Sequence, residues 1–98
     1  MRKIESDLVA AIKADKSFVS ANTDTLRVPG GWVVRLHKNV IAAVSLENGV
    51  GWTLAGWNTP TTRSRINALV SAFGGNRVSV RAGVPYAGDV ATTDRAWN

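Results

Sequence analysis

Trp57, Thr59, Thr61, Thr62, Arg63 and Arg65 fall within the nine residues 57–65, around Pro60 and just ahead of Ile66, Leu69, Val70 and Phe73. An indole, three hydroxyls and two guanidiniums at the start of a helix suit anion chemistry. The hydroxyls and the free N–H groups of a first turn bind phosphate oxygens, and an indole offers a stacking face. A purely structural account competes with this. Thr59 reads as the N-cap and Pro60 as the first helical residue, with Thr61 or Thr62 as alternative caps two or three residues later, and Trp57 as a staple folded over the first turn. That account leaves Arg63 and Arg65 unexplained, because cations oppose the positive end of a helix dipole. Either an external anion sits against them, or an acid from elsewhere in the fold, Glu47 or Asp7, pairs with one of them.

Other chemistry is sparse. His37 is the sole histidine and there is no cysteine, so histidine-pair, thiolate-metal and disulfide sites are excluded. Ser64 and Ser71 have no histidine in any nearby motif, the glycines have no phosphate-loop spacing, and the carboxylates form no spaced pair. The expectation is a non-enzymatic protein without metal or cofactor.

Charge is more informative. The chain carries +5 over 98 residues. Residues 1–26 are neutral, whereas residues 27–81 hold Arg27, Arg35, Lys38, Arg63, Arg65, Arg77 and Arg81 against Glu47 alone. This concentration suits phosphates or an acidic protein surface. Candidate nucleic-acid or anion-binding residues are therefore Arg27, Arg35, Trp57, Thr61, Thr62, Arg63, Arg65, Arg77 and Arg81. Trp97 is a weaker stacking candidate. The amino terminus runs straight into mixed charges and no apolar run approaches bilayer length, so neither a signal peptide nor membrane insertion is expected.

These residues need a scaffold. Ile4, Leu8, Ala11 and Ile12 recur at helical spacing, which predicts an amphipathic helix over 3–14. Ser17 to Asp24 reads as a connection. Four β segments follow, at 25–28, 32–37, 40–46 and 50–55. A two-residue turn at Asn48-Gly49 predicts Ser45 opposite Trp52, and one at Lys38-Asn39 predicts Leu36 opposite Ile41. A three-residue loop at 29–31 predicts Val28 opposite Trp32 and Leu26 opposite Val34. One face then carries Leu26, Val28, Trp32, Val34, Leu36, Ile41, Ala43, Trp52 and Leu54 as core. The other mixes Arg27, Arg35 and His37 with Val33, Val40, Ala42, Val44 and Thr53. The second helix ends at Gly74-Gly75, and residues 77–81 alternate as a returning edge strand. The expected fold is α+β: an antiparallel β-meander with two helices packed on one face, in a single domain over 1–86, with 87–98 a flexible tail.

The segments Leu36-His37-Lys38-Asn39-Val40-Ile41-Ala42 and Gly56 to Leu69 (GWNTPTTRSRINAL) resemble a family of small tailed-bacteriophage proteins of uncharacterised function. The resemblance extends over about residues 1–81. Members usually carry glycine where this chain has Lys38. The resemblance implies a phage accessory protein in the host cytoplasm. Two functions fit: nucleic-acid binding through the arginines, or neutralisation of an acidic host or defence protein through a sheet face or the 77–81 edge. A sheet-mediated homodimer is a third option.

Overall fold

The computed structural model describes residues 1–98. Helix α1 (Lys3–Lys13) leads into a five-stranded antiparallel meander: β1 (Val19–Ser20), β2 (Thr23–Val28), β3 (Gly31–Leu36), β4 (Asn39–Ser45) and β5 (Gly49–Trp52). Helix α2 (Pro60–Phe73) follows. A separate three-stranded sheet then forms from β6 (Val78–Arg81), β7 (Val84–Ala87) and β8 (Val90–Ala91). The α+β class and the meander are as the sequence predicts. The returning strand is not: β6 pairs with β7 and leaves the main meander untouched.

Both helices lie on one face of the meander. Leu8 and Ile12 of α1 and Ile66 and Leu69 of α2 join Trp32, Val34, Ile41, Trp52 and Leu54 in a single core cluster, and all of these but Trp32 are fully buried. Burying such aliphatic side chains stabilises a fold by about 1.5–3 kcal/mol each before entropy is counted.

All three hairpin registers differ from those predicted: β2–β3 and β4–β5 by an odd number of residues, and β3–β4 by an even number at its turn and an odd number beyond the shift at Val34/Arg35. The β2–β3 turn is Pro29-Gly30, which sets Val28 opposite Gly31 and Arg27 opposite Trp32. The β3–β4 turn is His37-Lys38, with Leu36 opposite Asn39 and a register shift at Val34/Arg35. The β4–β5 pairing sets Ser45 opposite Gly49 and Ala42 opposite Trp52, across a three-residue loop. An odd slip exchanges the faces of a strand. Thr23 and Thr25 are accordingly buried while Leu26 is exposed, and Ala42 and Val44 are buried in place of Ala43. Trp32 and Trp52 still share the core face.

Close approach explains one glycine. A Cβ on Gly31 would lie 1.9 Å from the Val44 carbonyl oxygen, so only glycine permits this strand pairing. Strain explains a prediction at the next hairpin. His37 and Lys38 both have positive φ, 50° and 68°, in a two-residue turn that ordinarily takes asparagine and glycine. A left-handed conformation costs a non-glycine residue roughly 1–2 kcal/mol. Lys38→Gly is expected to raise stability by about 1 kcal/mol in a denaturant titration, with no change in slope.

The end of the chain closes an exposed edge. The Val50 N–H donates to the Gly74 carbonyl at 2.9 Å. Asn98 then exchanges two backbone hydrogen bonds with Trp52, at 2.8 and 3.0 Å, in the stretch the sequence reads as tail. Unpaired strand edges invite association, and these contacts occupy the β5 edge.

Candidate functional site

Helix α2 begins as the sequence predicts. Thr59 is the N-cap, its hydroxyl accepts the Thr62 N–H at 3.2 Å, and Pro60 occupies the first turn. The Thr59 and Thr62 hydroxyls also bond each other at 2.9 Å, and Thr62 is buried. Trp57 is 59% exposed, so its indole is open to solvent rather than sealed against the helix.

The two arginines of this segment part company. Arg63 donates to the backbone and side-chain oxygens of Asn58 and has no acidic partner. Arg65 turns inward. It is 4% exposed, and its Nη1 donates to Glu5 Oε2 at 2.7 Å while its Nε donates to Thr23 Oγ1 at 3.1 Å. Glu5 also accepts from Ser64 Oγ and, through Oε1, from the Arg2 N–H. Burial pushes the Glu5 carboxyl up, but these hydrogen bonds and the Arg65 charge outweigh it and hold the carboxyl below its ordinary range. The internal acid is thus Glu5, not Glu47 or Asp7, and Arg65 leaves the set of surface cations.

Folding neutralises much of the remaining basic segment. Arg35 forms a bidentate pair with Asp24 at 2.7 and 2.8 Å, which lowers the Asp24 carboxyl and raises the Arg35 guanidinium. Arg27 pairs with Asp15 at 2.6 Å and stacks 4.4 Å over the Trp32 ring. Arg81 lies 3.7 Å from Asp89 and over Tyr86. The Arg77 guanidinium donates to Ser71 Oγ and pairs with no acid. Every one of these acids lies outside residues 27–81, so a charge count along the chain could not anticipate them. Lys38, Arg63 and Arg77 are the cations of that segment that form no ion pair, although the charge of Lys38 helps to lower the Asp24 carboxyl.

What the fold does assemble is a cleft of about 350 Å³. Its nine lining residues are Asn22 plus eight from two segments distant in sequence: Leu36, His37, Asn39 and Ile41 from the β3–β4 hairpin, and Trp57, Thr59, Thr61 and Thr62 from the start of α2. Leu36 and Ile41 are buried and form an apolar floor, the amides and hydroxyls supply polar walls, and Trp57 stands exposed. Of the candidates named from the sequence, Trp57, Thr61 and Thr62 line this cleft. His37 and Asn39 read only as turn residues, and Asn22 only as a connection, because nothing local marks a side chain that meets its partners across the fold. The cleft offers neutral hydrogen-bonding groups, and no cluster of three His, Cys, Asp or Glu side chains is placed to hold a metal ion.

Fold and cleft define a small α+β protein in which two separated sequence motifs converge on one surface cavity. The family model of the Kyanoviridae Gp96 protein matches residues 1–98, and the chain belongs to that phage protein family. No curated protein and no solved structure matches it. No helix is long and apolar enough to cross a membrane.

Proposed function

We propose that this phage protein is a non-enzymatic binder of single-stranded nucleic acid in the host cytoplasm, and that the cleft beside Trp57 is where an unpaired base enters. The observation that carries the reading is the exposed indole on a cleft with an apolar floor and amide walls. A base can stack on such an indole while its edge meets the polar walls. Lys38 follows His37 and Arg63 follows Thr62, so a cation that forms no ion pair stands within one residue of the lining on each wall. They supply backbone contacts in place of a broad arginine surface. Arg27, Arg35, Arg65 and Arg81 are held by acids, and Arg77 is the further free cation.

Fluorescence anisotropy with a labelled single-stranded oligonucleotide tests this. Trp57→Ala is expected to cost about 1–3 kcal/mol of affinity while leaving the melting temperature nearly unchanged, since the ring is outside the core. Arg63→Gln is expected to reduce the slope of log affinity against log salt by roughly 0.7. Wild-type affinity in both variants would exclude the cleft.

A second reading, binding of an acidic host or defence protein or of a second copy, has its own observation. Leu26, Val33 and Ala43 lie opposite one another across β2, β3 and β4 on the face away from the helices, and Leu26 is 46% exposed. The β6 edge is a poorer candidate. Asn67 bonds both the N–H and the carbonyl of Val78 there, at 2.8 and 2.9 Å, so part of that edge is occupied. Leu26→Asp would abolish a protein partner and leave oligonucleotide binding intact.

A further inference from the structure

We infer that the end of the chain completes the nucleic-acid site: Arg95 is a phosphate-binding residue for the strand whose base stacks on Trp57. The inference rests on the nucleic-acid reading and adds to it a contact from the stretch that the sequence reads as tail.

Backbone pairing fixes where Arg95 stands. Asn98 exchanges two hydrogen bonds with Trp52, and the Asp94 carbonyl accepts the Gly56 N–H at 2.8 Å. Residues 94–98 therefore run antiparallel along 52–56 and hold Arg95 at the turn that leads into Trp57. The same turn is closed by the Trp57 N–H, which donates to the Leu54 carbonyl at 2.8 Å. Gly56 then makes room for the guanidinium. A Cβ on it would lie 2.8 Å from Nη2, 3.0 Å from Cζ and 3.3 Å from Nη1 of Arg95. The guanidinium thus lies against the bare α-carbon of Gly56, in a space that a side chain would fill. With consecutive Cα atoms 3.8 Å apart, both Nη atoms are within about 9 Å of the Trp57 Cα.

The state of this side chain points to an anion. Arg95 is exposed and belongs to no ion pair, not even with its neighbour Asp94. The side-chain hydrogen bonds of residues 92–98 involve Thr93 and Asn98, not Arg95. Arg63 gives its Nη1 to Asn58, and Arg77 gives its Nη1 to Ser71. Arg95 is instead placed by packing alone and keeps its whole fork of N–H donors free. That fork matches the oxygens of a phosphate. A stacking aromatic flanked by cations that track the backbone is how sequence-tolerant single-strand sites are built, and Arg95 beside Trp57 supplies that combination.

Fluorescence anisotropy with an end-labelled single-stranded oligonucleotide, over a series of salt concentrations, decides the matter. Arg95→Gln is expected to weaken binding about three- to fivefold at low salt and to reduce the slope of log affinity against log salt by roughly 0.7. Its melting temperature should stay nearly unchanged. Arg95→Lys keeps the charge and is expected to keep most of the slope. An oligonucleotide of the same sequence with a neutral methylphosphonate backbone is expected to bind wild type and Arg95→Gln equally. Gly56→Ala pushes the guanidinium from its place, and its cost to affinity should vanish where Arg95 is already glutamine. Circular dichroism checks that each variant is folded. The φ of 84° at Gly56 disfavours alanine, and the Arg95→Gln comparison stands even where Gly56→Ala does not fold. A wild-type slope in Arg95→Gln, or a loss of affinity that persists on the neutral backbone, would overturn the phosphate contact while leaving the cleft reading in place. A lowered melting temperature with unchanged affinity would overturn it too, and would mean that Arg95 only anchors the end of the chain. No binding of the oligonucleotide by the wild type would overturn both readings.

Discussion

Arg65→Met is expected to destabilise the domain by about 3–5 kcal/mol, enough to unfold much of a population whose total stability is of order 5–15 kcal/mol. The magnitude follows from burial. Glu5 is 2% and Arg65 4% exposed, so removing one partner strands the other charge in the interior. Ser64 and the Arg2 N–H would still bond Glu5, but neither neutralises it. Glu5→Leu combined with Arg65→Met should recover most of the loss, because replacing a whole buried pair by apolar side chains is often neutral or better. Denaturant titration of the two single variants and the double variant gives the coupling directly. Single and double variants that are equally unstable would show that the pair is not the unit of stability.

The pair also predicts acid sensitivity, with a definite sign. The Glu5 carboxyl is held below its ordinary value of 4.5, so the unfolded chain takes up this proton first as pH falls. The contribution is fully present above that value and is lost as pH drops through the lower folded value. The stability gap between wild type and Glu5→Gln should therefore narrow on acidification below about pH 4.5.

This pair marks the limit of what the sequence discloses. The start of α2 was legible to within two or three residues, because a threonine cap, a following proline and an apolar stripe are all local signals, and the structure selects Thr59 over Thr61 and Thr62. Arg63 and Arg65 were legible as an anomaly for the same reason. Their resolution was not, since Glu5 is 60 residues from Arg65 and only the packing of α1 on α2 joins them. The hairpins failed for a different cause. Asn48-Gly49 does mark a turn, but Gly49 uses its positive φ of 87° as the first residue of β5, after a three-residue loop. Glycine's freedom serves either arrangement, and the choice shifts the pairing. At the preceding hairpin Lys38 takes the left-handed conformation, a strain that propensity argues against. Hydropathy then misplaced Leu26 in the core and passed over Thr23 and Thr25. Those threonines are buried because each meets a polar partner there: Arg65 for Thr23, and the Phe18 N–H, at 2.8 Å, for Thr25.

Trp52 supports the second large prediction. Its ring is fully buried, and its Nε1 donates to the Asn76 carbonyl at 2.7 Å. Its backbone N–H and carbonyl hold Asn98. Trp52 thus ties β5 to the segment after α2 and to the end of the chain, as well as filling the core beside Ala42. Trp52→Ala should cost about 3–5 kcal/mol through the cavity it leaves. Trp52→Phe separates packing from bonding. It keeps most of the apolar volume but leaves the Asn76 carbonyl without its donor, for about 1–3 kcal/mol. Trp32 provides the internal control. It is also buried, yet its Nε1 has no hydrogen-bond partner in the protein, so Trp32→Phe deletes no such bond. Thermal melts should therefore rank Trp32→Phe above Trp52→Phe, and Trp52→Phe above Trp52→Ala. A Trp52→Phe variant as stable as Trp32→Phe would mean that the Asn76 contact contributes nothing and that Trp52 acts by volume alone.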